Sequence, residues 1–149
     1  MIRVQEQDFD IGAEMAALHR GRTDIGAIAA FAGLVRDHAS GEHVTAMTLE
    51  HYPGMTEKEL ARIEAEARVR WPLLDCLIVH RVGRLLPGDA IVLVITVSAH
   101  RQAAFEAAQF LMDYLKTSAP FWKAEQTEGS RQWVRSREAD EAAAARWNR

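Results

Sequence analysis

Cysteine is nearly absent from this sequence, which contains Cys76 and no other. With one thiol, no disulfide can form within the chain, and a structural zinc site built from several cysteines is excluded. Cys76 lies in the apolar run LLDCLIVH, where a buried and unreactive thiol is expected. The histidines show no HxxxH pair, so the sequence predicts no metal site.

Long hydrophobic runs and a strong charge balance are also missing. No apolar stretch approaches the length of a membrane span, and the N-terminal MIRVQEQDFDIG carries acids where a secretory signal needs an apolar run. These features predict a soluble, cytoplasmic protein. The formal charge of −3 supplies no general attraction to nucleic acid or to acidic membranes, so any cationic site must be local.

The length of 149 residues suits one ordinary domain, with residues 1–137 as its core and residues 138–149 as a terminal helix or tail. Strand-like and helix-like segments mix without a regular βαβ rhythm. We therefore predict an α+β fold with a mixed, mostly antiparallel sheet and packed helices. The segment GAIAAFAGLVR (26–36) is predicted as a buried strand in which Gly33 permits a bulge or a close approach, and DHASGEH after it as a loop.

The main helix is predicted within residues 98–123. Ser98 is expected to cap it, and apolar residues recur at spacings of three and four from Ala104 to Leu115, which places them on one face. Asp113 falls on the polar face, and Pro120 ends the pattern. An earlier helix is expected to begin with a capping box formed by Thr56 and Glu59.

Lysine is scarce, and two of the three lysines lie at the end of the main helix or just beyond it. Lysine can lose its proton and arginine practically cannot, so the placement hints at amine chemistry, with chance placement left open. Six cationic or titratable side chains end predicted elements: Arg36, His100, Arg101, Lys116, Lys123 and Arg137. Such groups suit an anionic ligand such as phosphate, and scattered surface cations are the alternative.

The spacing of His100 and Lys116 sets a geometric problem. On a straight helix they would lie roughly 24 Å apart, too far to reach one small ligand. Either they serve different sites, or two copies pair about a two-fold axis so that one helix begins near the end of the other. We favour the second hypothesis.

Several separated motifs resemble one known family, the large catalytic subunits of molybdopterin synthase. They are GAIAAFAGLVR, LEHYPGM and HRVGRLLPGDAIVLVITVSAHRQAAFEAAQFLMDYLKTSAPFWKAE, and the resemblance spans about Ile2 to Arg137. It implies an α/β-hammerhead type of fold. It also implies a homodimer that binds a small ubiquitin-like sulfur carrier at each end, which makes a heterotetramer.

The reaction that the resemblance implies is sulfur transfer in molybdenum cofactor biosynthesis. The carrier's C-terminal Gly-Gly thiocarboxylate would deliver sulfur to cyclic pyranopterin monophosphate, and two transfers would produce the dithiolene of molybdopterin. By motif, the catalytic lysines are Lys116 in MDYLK and Lys123 in PFWK. The substrate-binding residues are Arg36, His100, Arg101 and Arg137. No bound cofactor is expected.

Two other functions stay open at this stage. One is a phosphate-ester hydrolase or lyase that uses His100 as acid or base, with Arg36 and Arg101 on the phosphate. The other is a non-catalytic module that binds the tail of a ubiquitin-like protein, with Lys116 and Lys123 holding its carboxylate. Nucleic-acid binding is disfavoured, because no basic aromatic stripe is present.

Overall fold

The protein is described by a computed structural model that covers residues 1–39, 41–128, 131–134 and 138–148, with backbone alone for residues 131–134. The strands are β1 (Ile2–Gln5), β2 (Ala27–Leu34), β3 (His38–Ala39), β4 (Glu42–His51), β5 (Leu73–Arg81), β6 (Gly83–Leu85), β7 (Ala90–Ser98), β8 (Phe121–Thr127) and β9 (Arg131–Val134). The helices are α1 (Ile11–His19), α2 (Met55–Arg70), α3 (Arg101–Thr117) and α4 (Glu138–Ala145). None of the helices in these ranges is long and apolar enough to cross a membrane.

The strands form two sheets. One has four strands in the order β1-β5-β7-β2, and the other has the order β3-β4-β8-β9 with β6 beside β4. The β1–β5 pair is parallel, and every other described pairing is antiparallel. The predicted α+β class is confirmed, with the strands divided between two sheets.

The core lies on both faces of the four-stranded sheet. Ile78 and Val94 pack with Leu60 of α2 and Leu111 of α3 on one face. On the other face, residues that alternate with these along β5 and β7 pack with Leu18 of α1. A strand covered on both faces has no polar side, which explains the continuous apolar run of β7. Each fully buried leucine contributes about 2 kcal/mol to stability.

The prediction of a buried strand at residues 26–36 was wrong in part. β2 forms the edge of its sheet, and Phe31 and Leu34 are 42% and 55% exposed. An apolar strand needs cover, but its sequence does not say whether the same chain supplies it. The expected role of Gly33 is confirmed, because the register shifts after it and a Cβ there would lie 2.9 Å from Val92 Cγ1.

Ser98 does not cap α3 as predicted. It is the last residue of β7, and its buried hydroxyl donates to the Pro72 carbonyl at 2.9 Å. The N-cap of α3 is His100, two residues later, which makes no side-chain capping bond. The Ser98 hydroxyl oxygen accepts only a long bond, from the His100 backbone N–H at 3.5 Å. A distant loop has therefore recruited the hydroxyl that a local rule assigned to the helix.

Thr56 also has a role that local rules missed. It lies inside α2, fully buried, and its hydroxyl donates to the Pro120 carbonyl at 3.0 Å. Glu57 closes the helix start instead, because its carboxylate accepts from the backbone N–H of Gly54 at 2.5 Å. The hydrogen bond from Thr56 fixes the residue at which β8 begins.

The predicted terminal helix is confirmed as α4, and it changes the environment of Asp113. This residue was expected on a solvated face but is only 7% exposed. Its carboxylate accepts hydrogen bonds from Gln109 Nε2 at 2.8 Å, Arg146 Nη2 at 2.8 Å and Trp147 Nε1 at 2.6 Å. The chain after α4 thus covers a face of α3 that looks polar in sequence.

The segment DHASGEH is a hairpin rather than a plain loop. β3 pairs with β4 through His38 opposite His43 and Ala39 opposite Glu42. β8 and β9, which flank residue 129 in the sequence, pair antiparallel. Residue 129 itself, like Ser40, lies outside the described residues.

Gly26 is required where the chain passes Ala99 just before β2. A Cβ at residue 26 would lie 1.9 Å from the Ala99 carbonyl oxygen, while the Gly26 N–H donates to the Ser98 carbonyl at 3.1 Å. Because backbone atoms cannot move aside cheaply, we expect Gly26→Ala to lower the free energy of unfolding by about 3 kcal/mol. Urea denaturation measures this.

The matched control is Gly12→Ala in α1. There the nearest atom to the new Cβ is Asp10 Oδ1 at 3.4 Å, an ordinary contact. Alanine also favours a helix, so the change in unfolding free energy should stay within about 1 kcal/mol. Equal stability of the two variants would contradict the steric argument.

Candidate functional site

A cleft of about 780 Å³ opens where the end of β2, the last turn of α3 and the start of β8 meet. Three of the six predicted site residues line it, namely Arg36, Lys116 and Lys123. The rest of the lining is largely apolar and includes Val92 and Met112. The fold therefore brings both predicted lysines and one predicted arginine to a single site.

The turn from α3 into β8 positions the two lysines. Lys116 lies in the last turn of α3, where a cation is favoured by the helix dipole. The helix ends at Thr117, with the Ser118 N–H donating to the Tyr114 carbonyl at 2.8 Å. β8 starts at Phe121, after three intervening residues, and carries Lys123 back along the same cleft.

Arg36 reaches the cleft because backbone hydrogen bonds hold the residue before it. The Val35 N–H donates to the Asp89 carbonyl at 2.9 Å, and the Val35 carbonyl accepts from the Gly88 N–H at 2.8 Å. The turn before β7 therefore continues the backbone hydrogen bonding of β2 by one residue, to Val35. The Arg36 side chain is exposed at the cleft lining, where its planar fork can bind an anion through two parallel bonds.

Glu125 is a cleft residue that our sequence analysis missed. Alternate residues of β8, Phe121, Lys123 and Glu125, all line the cleft, as the two-residue period of a strand requires. The largely buried Glu125 carboxylate lies 3.7 Å from Lys123 Nζ. This spacing was a usable signal, because an acid two residues after the predicted catalytic lysine must share its face of the strand.

His80 is a second missed residue, and no local pattern indicates it. Its ring lines the cleft, is 7% exposed, and stacks on Phe121 with centroids 3.9 Å apart and planes 15° from parallel. Burial lowers the pKa of His80 to about 4, and the positive charges of Lys116 and His51 act in the same direction. Its hydrogen bond with the Arg81 carbonyl opposes them. The imidazole is therefore neutral near pH 7.

His100 and Arg101 lie elsewhere, in a smaller cleft of about 460 Å³ with Gly26, Ala99 and Gln102. The free N–H groups at the start of α3 and the positive end of its dipole suit an anion there. The two clefts share no lining residue, so the predicted separation of His100 from Lys116 is confirmed within one chain. Arg137 lies outside the described residues.

The first cleft has cations and carboxylates but no thiol. Two ammonium groups and a guanidinium beside an apolar wall can bind an anionic group and stabilise negative charge that develops on it. Cys76 lies in β5, fully buried, and is not part of the lining. Among the residues that the structure describes, no group of three or more His, Cys, Asp or Glu could hold a metal ion.

Comparisons with known proteins agree closely with one another. The family model described as "MoaE protein" matches residues 4–118. The chain is 60% identical over 146 residues to the molybdopterin synthase catalytic subunit of Ralstonia nicotianae, which covers 98% of this chain and 83% of that protein. It is similar to the molybdopterin biosynthesis MoaE protein of Burkholderia ambifaria, with a TM-score of 0.83, 58% identity, and 99% and 97% of the two chains covered. For molybdopterin synthase from Staphylococcus aureus the TM-score is 0.81 at 30% identity, with 89% of this chain and 95% of that chain covered.

The burial of the Cys76 thiol, away from the cleft, can be tested directly. Burial raises the pKa of Cys76 to about 12, so the reactive thiolate is about one part in ten thousand at pH 8. We expect no reaction with a disulfide reagent in the folded protein, and reaction of one thiol per chain in urea. Ser118→Cys, at an exposed position, is the control that should react when folded. Equally fast reaction of Cys76 in the folded protein would contradict its burial.

Proposed function

The chain belongs to the MoaE protein family, and on that premise we propose that it is the sulfur-transferring subunit of a molybdopterin synthase. It converts cyclic pyranopterin monophosphate to molybdopterin with sulfur from the C-terminal thiocarboxylate of a small ubiquitin-like partner. The observation that carries this proposal is the meeting of Lys116 and Lys123 in one cleft that also has an apolar wall. Since Cys76 is buried elsewhere, the sulfur must arrive from outside the chain. A cytoplasmic location is part of the proposal.

The two lysines have different roles, one toward the anionic tail of the carrier and one toward proton transfer or the pterin. In this cleft Lys116 stabilises the negative charge of the thiocarboxylate and of the adduct that it forms with the substrate. Lys123, whose ammonium group lies 3.7 Å from the Glu125 carboxylate, moves protons or anchors the pterin. Arg36 binds the substrate's phosphate or carboxylate at the cleft rim. The dithiolene requires two such transfers, one for each sulfur atom.

The partner's docking surface is proposed at the mouth of the same cleft. Tyr52 and Met55 are 55% and 59% exposed, and the Tyr52 ring lies 4.7 Å from that of Trp122, which lines the cleft. Exposed aromatic and methionine side chains beside a site are typical of protein interfaces. A carrier seated there can extend its tail toward Lys116.

A homodimer would join the two clefts, and β2 supports it. This edge strand starts beside Gly26 at the second cleft and ends at Leu34 in the first, two residues before Arg36. If two β2 edges pair antiparallel about a two-fold axis, the second cleft of one protomer comes next to the first cleft of the other. His100 and Arg101 of one protomer then complete the site of its partner. The exposed apolar side chains of β2 would be covered as well.

The alternative functions lack comparable support. A hydrolase that uses His100 as acid or base with Arg36 on the phosphate would need the two clefts of one chain to merge, and they share no lining residue. A binding module would use Lys116 and Lys123 only to hold the tail's carboxylate, with no part in turnover. The first experiment below separates this module from a sulfurtransferase.

Lys116→Ala should abolish turnover while the carrier still binds. Removing a group that stabilises developing charge costs on the order of 10²–10³ in rate. The purified protein is mixed with thiocarboxylated carrier and cyclic pyranopterin monophosphate, and dithiolene product is measured, with unmodified carrier as a blank. Lys123→Ala should show a loss of similar order. Lys58→Ala, an exposed lysine of α2 outside the cleft, is the matched control and should keep full rate.

Loss of carrier affinity in Lys116→Ala with no loss of rate at saturation would favour the binding module. Absence of product with the unchanged protein, under conditions in which the carrier binds, would contradict sulfur transfer itself.

The composite site predicts complementation between two inactive variants. Lys116→Ala and His100→Ala are expected to be inactive alone. When they are co-expressed, half of the dimers are mixed and each mixed dimer has one intact site, so about a quarter of the unchanged activity should return. The control pair, Lys116→Ala with Lys123→Ala, damages the same cleft and should restore nothing. No recovery in the first pair would contradict a site shared across the dimer.

A further inference from the structure

His80 gives the first cleft a neutral hydrogen-bond acceptor close to its cations. Arg36, Lys116 and Lys123 are donors without an acceptor atom in their charged groups. His80 is different. Its Nδ1 lies 2.9 Å from the Arg81 carbonyl oxygen, which can only accept, so Nδ1 carries the proton. In the neutral ring, Nε2 is therefore an unprotonated acceptor.

The Nε2 atom opens onto the cleft. It has no hydrogen-bond partner among the described residues. Among the side-chain nitrogen and oxygen atoms of the described residues, only Arg3 Nε is both buried from solvent and without a hydrogen-bond partner. His80 Nε2 is thus unpaired but still accessible, although the residue is 93% buried. Since the ring lines the cleft, that access is from the cleft.

The ring is also held rigidly. One edge is tied to the Arg81 carbonyl, and one face stacks on Phe121 at 3.9 Å. His51 lies on Phe121 as well, with centroids 6.4 Å apart, and is itself 3.5 Å from the Glu57 carboxylate. An acceptor whose direction is fixed before the ligand arrives loses little entropy on binding, which is how a site gains selectivity.

We propose that His80 is a specificity-determining residue of the cleft, whose Nε2 accepts a hydrogen bond from the peptide N–H of the carrier's terminal glycine. This inference rests on the proposed function. It adds a residue that recognises the tail's backbone to those that recognise its charge.

The chemistry of a peptide terminus favours this occupant. In a terminal glycine the N–H and the thiocarboxylate are attached to the same Cα, so one hydrogen-bond donor and one anionic group lie side by side. His80 and Lys116 offer the complementary pair in one cleft, an acceptor and a cation. They are close enough for the Lys116 charge to lower the pKa of His80. A terminal residue without a donor N–H would leave Nε2 desolvated and unpaired.

A double-mutant cycle across the interface tests the bond. His80→Phe keeps an aromatic ring for stacking on Phe121 but lacks Nε2. The carrier is made by semi-synthesis with either glycine or N-methylglycine at its end, both thiocarboxylated. Each single change should weaken carrier binding about tenfold, and the two together should be no worse than one. His51→Phe, which changes another histidine that stacks on Phe121 but lies outside the lining, is the matched control and should act additively with the methyl group.

Additive losses for His80→Phe and N-methylglycine would overturn the proposal. So would unchanged carrier affinity in His80→Phe with a raised KM for the pterin, which would assign the acceptor to the small substrate. A failure of the unchanged protein to bind the thiocarboxylated carrier would instead remove the proposed function. If His80→Phe does not fold, the ¹⁵N resonance of His80 Nε2 in the unchanged protein decides. It should shift with the glycine-ended carrier and not with the N-methylglycine one, and equal shifts would overturn the bond.

Discussion

The packing of α3 against β7 is the contact on which the rest of the molecule depends. Small side chains, Ala103, Ala104 and Ala107, are buried along the helix and allow its backbone to approach the sheet. Thr96 of β7 donates to the Ala104 carbonyl at 2.6 Å. Because the helix cannot slide or rotate, both of its ends have fixed positions. One end presents His100 and Arg101, and the other presents Lys116.

Because α3 is fixed against β7, the two sheets have different roles. The four-stranded sheet supplies the core and holds α3, whereas β8 of the second sheet carries Lys123 back past the end of that helix. The hydrogen bond from Thr56 to the Pro120 carbonyl fixes the crossing between them. The cleft is therefore a junction, and its walls come from elements that are far apart in sequence. Such a site can be dry on one side and cationic on the other, which strengthens its charge interactions.

Much of the fold follows from local patterns, and so do the charged site residues. The alternating and continuous apolar runs predict the strands, and the spacing from Ala104 to Leu115 predicts α3. Lys116, Lys123 and Arg36 stand out in the sequence because each is a cation at the end of a predicted helix or strand. The failures share one cause. Local patterns assign Ser98 and Thr56 to helix caps and Asp113 to a polar face. Each side chain instead bonds to a residue that is distant in sequence.

The sequence by itself determined most of the secondary structure, the absence of disulfides within the chain, the family and the six candidate site residues. Tertiary structure alone decided which of those residues share a cleft, because convergence depends on how α3 and β8 pack and not on spacing along the chain. It also decided the states of single groups. His80 is neutral and Cys76 inert because burial penalises their charged forms, and burial is a property of the folded chain.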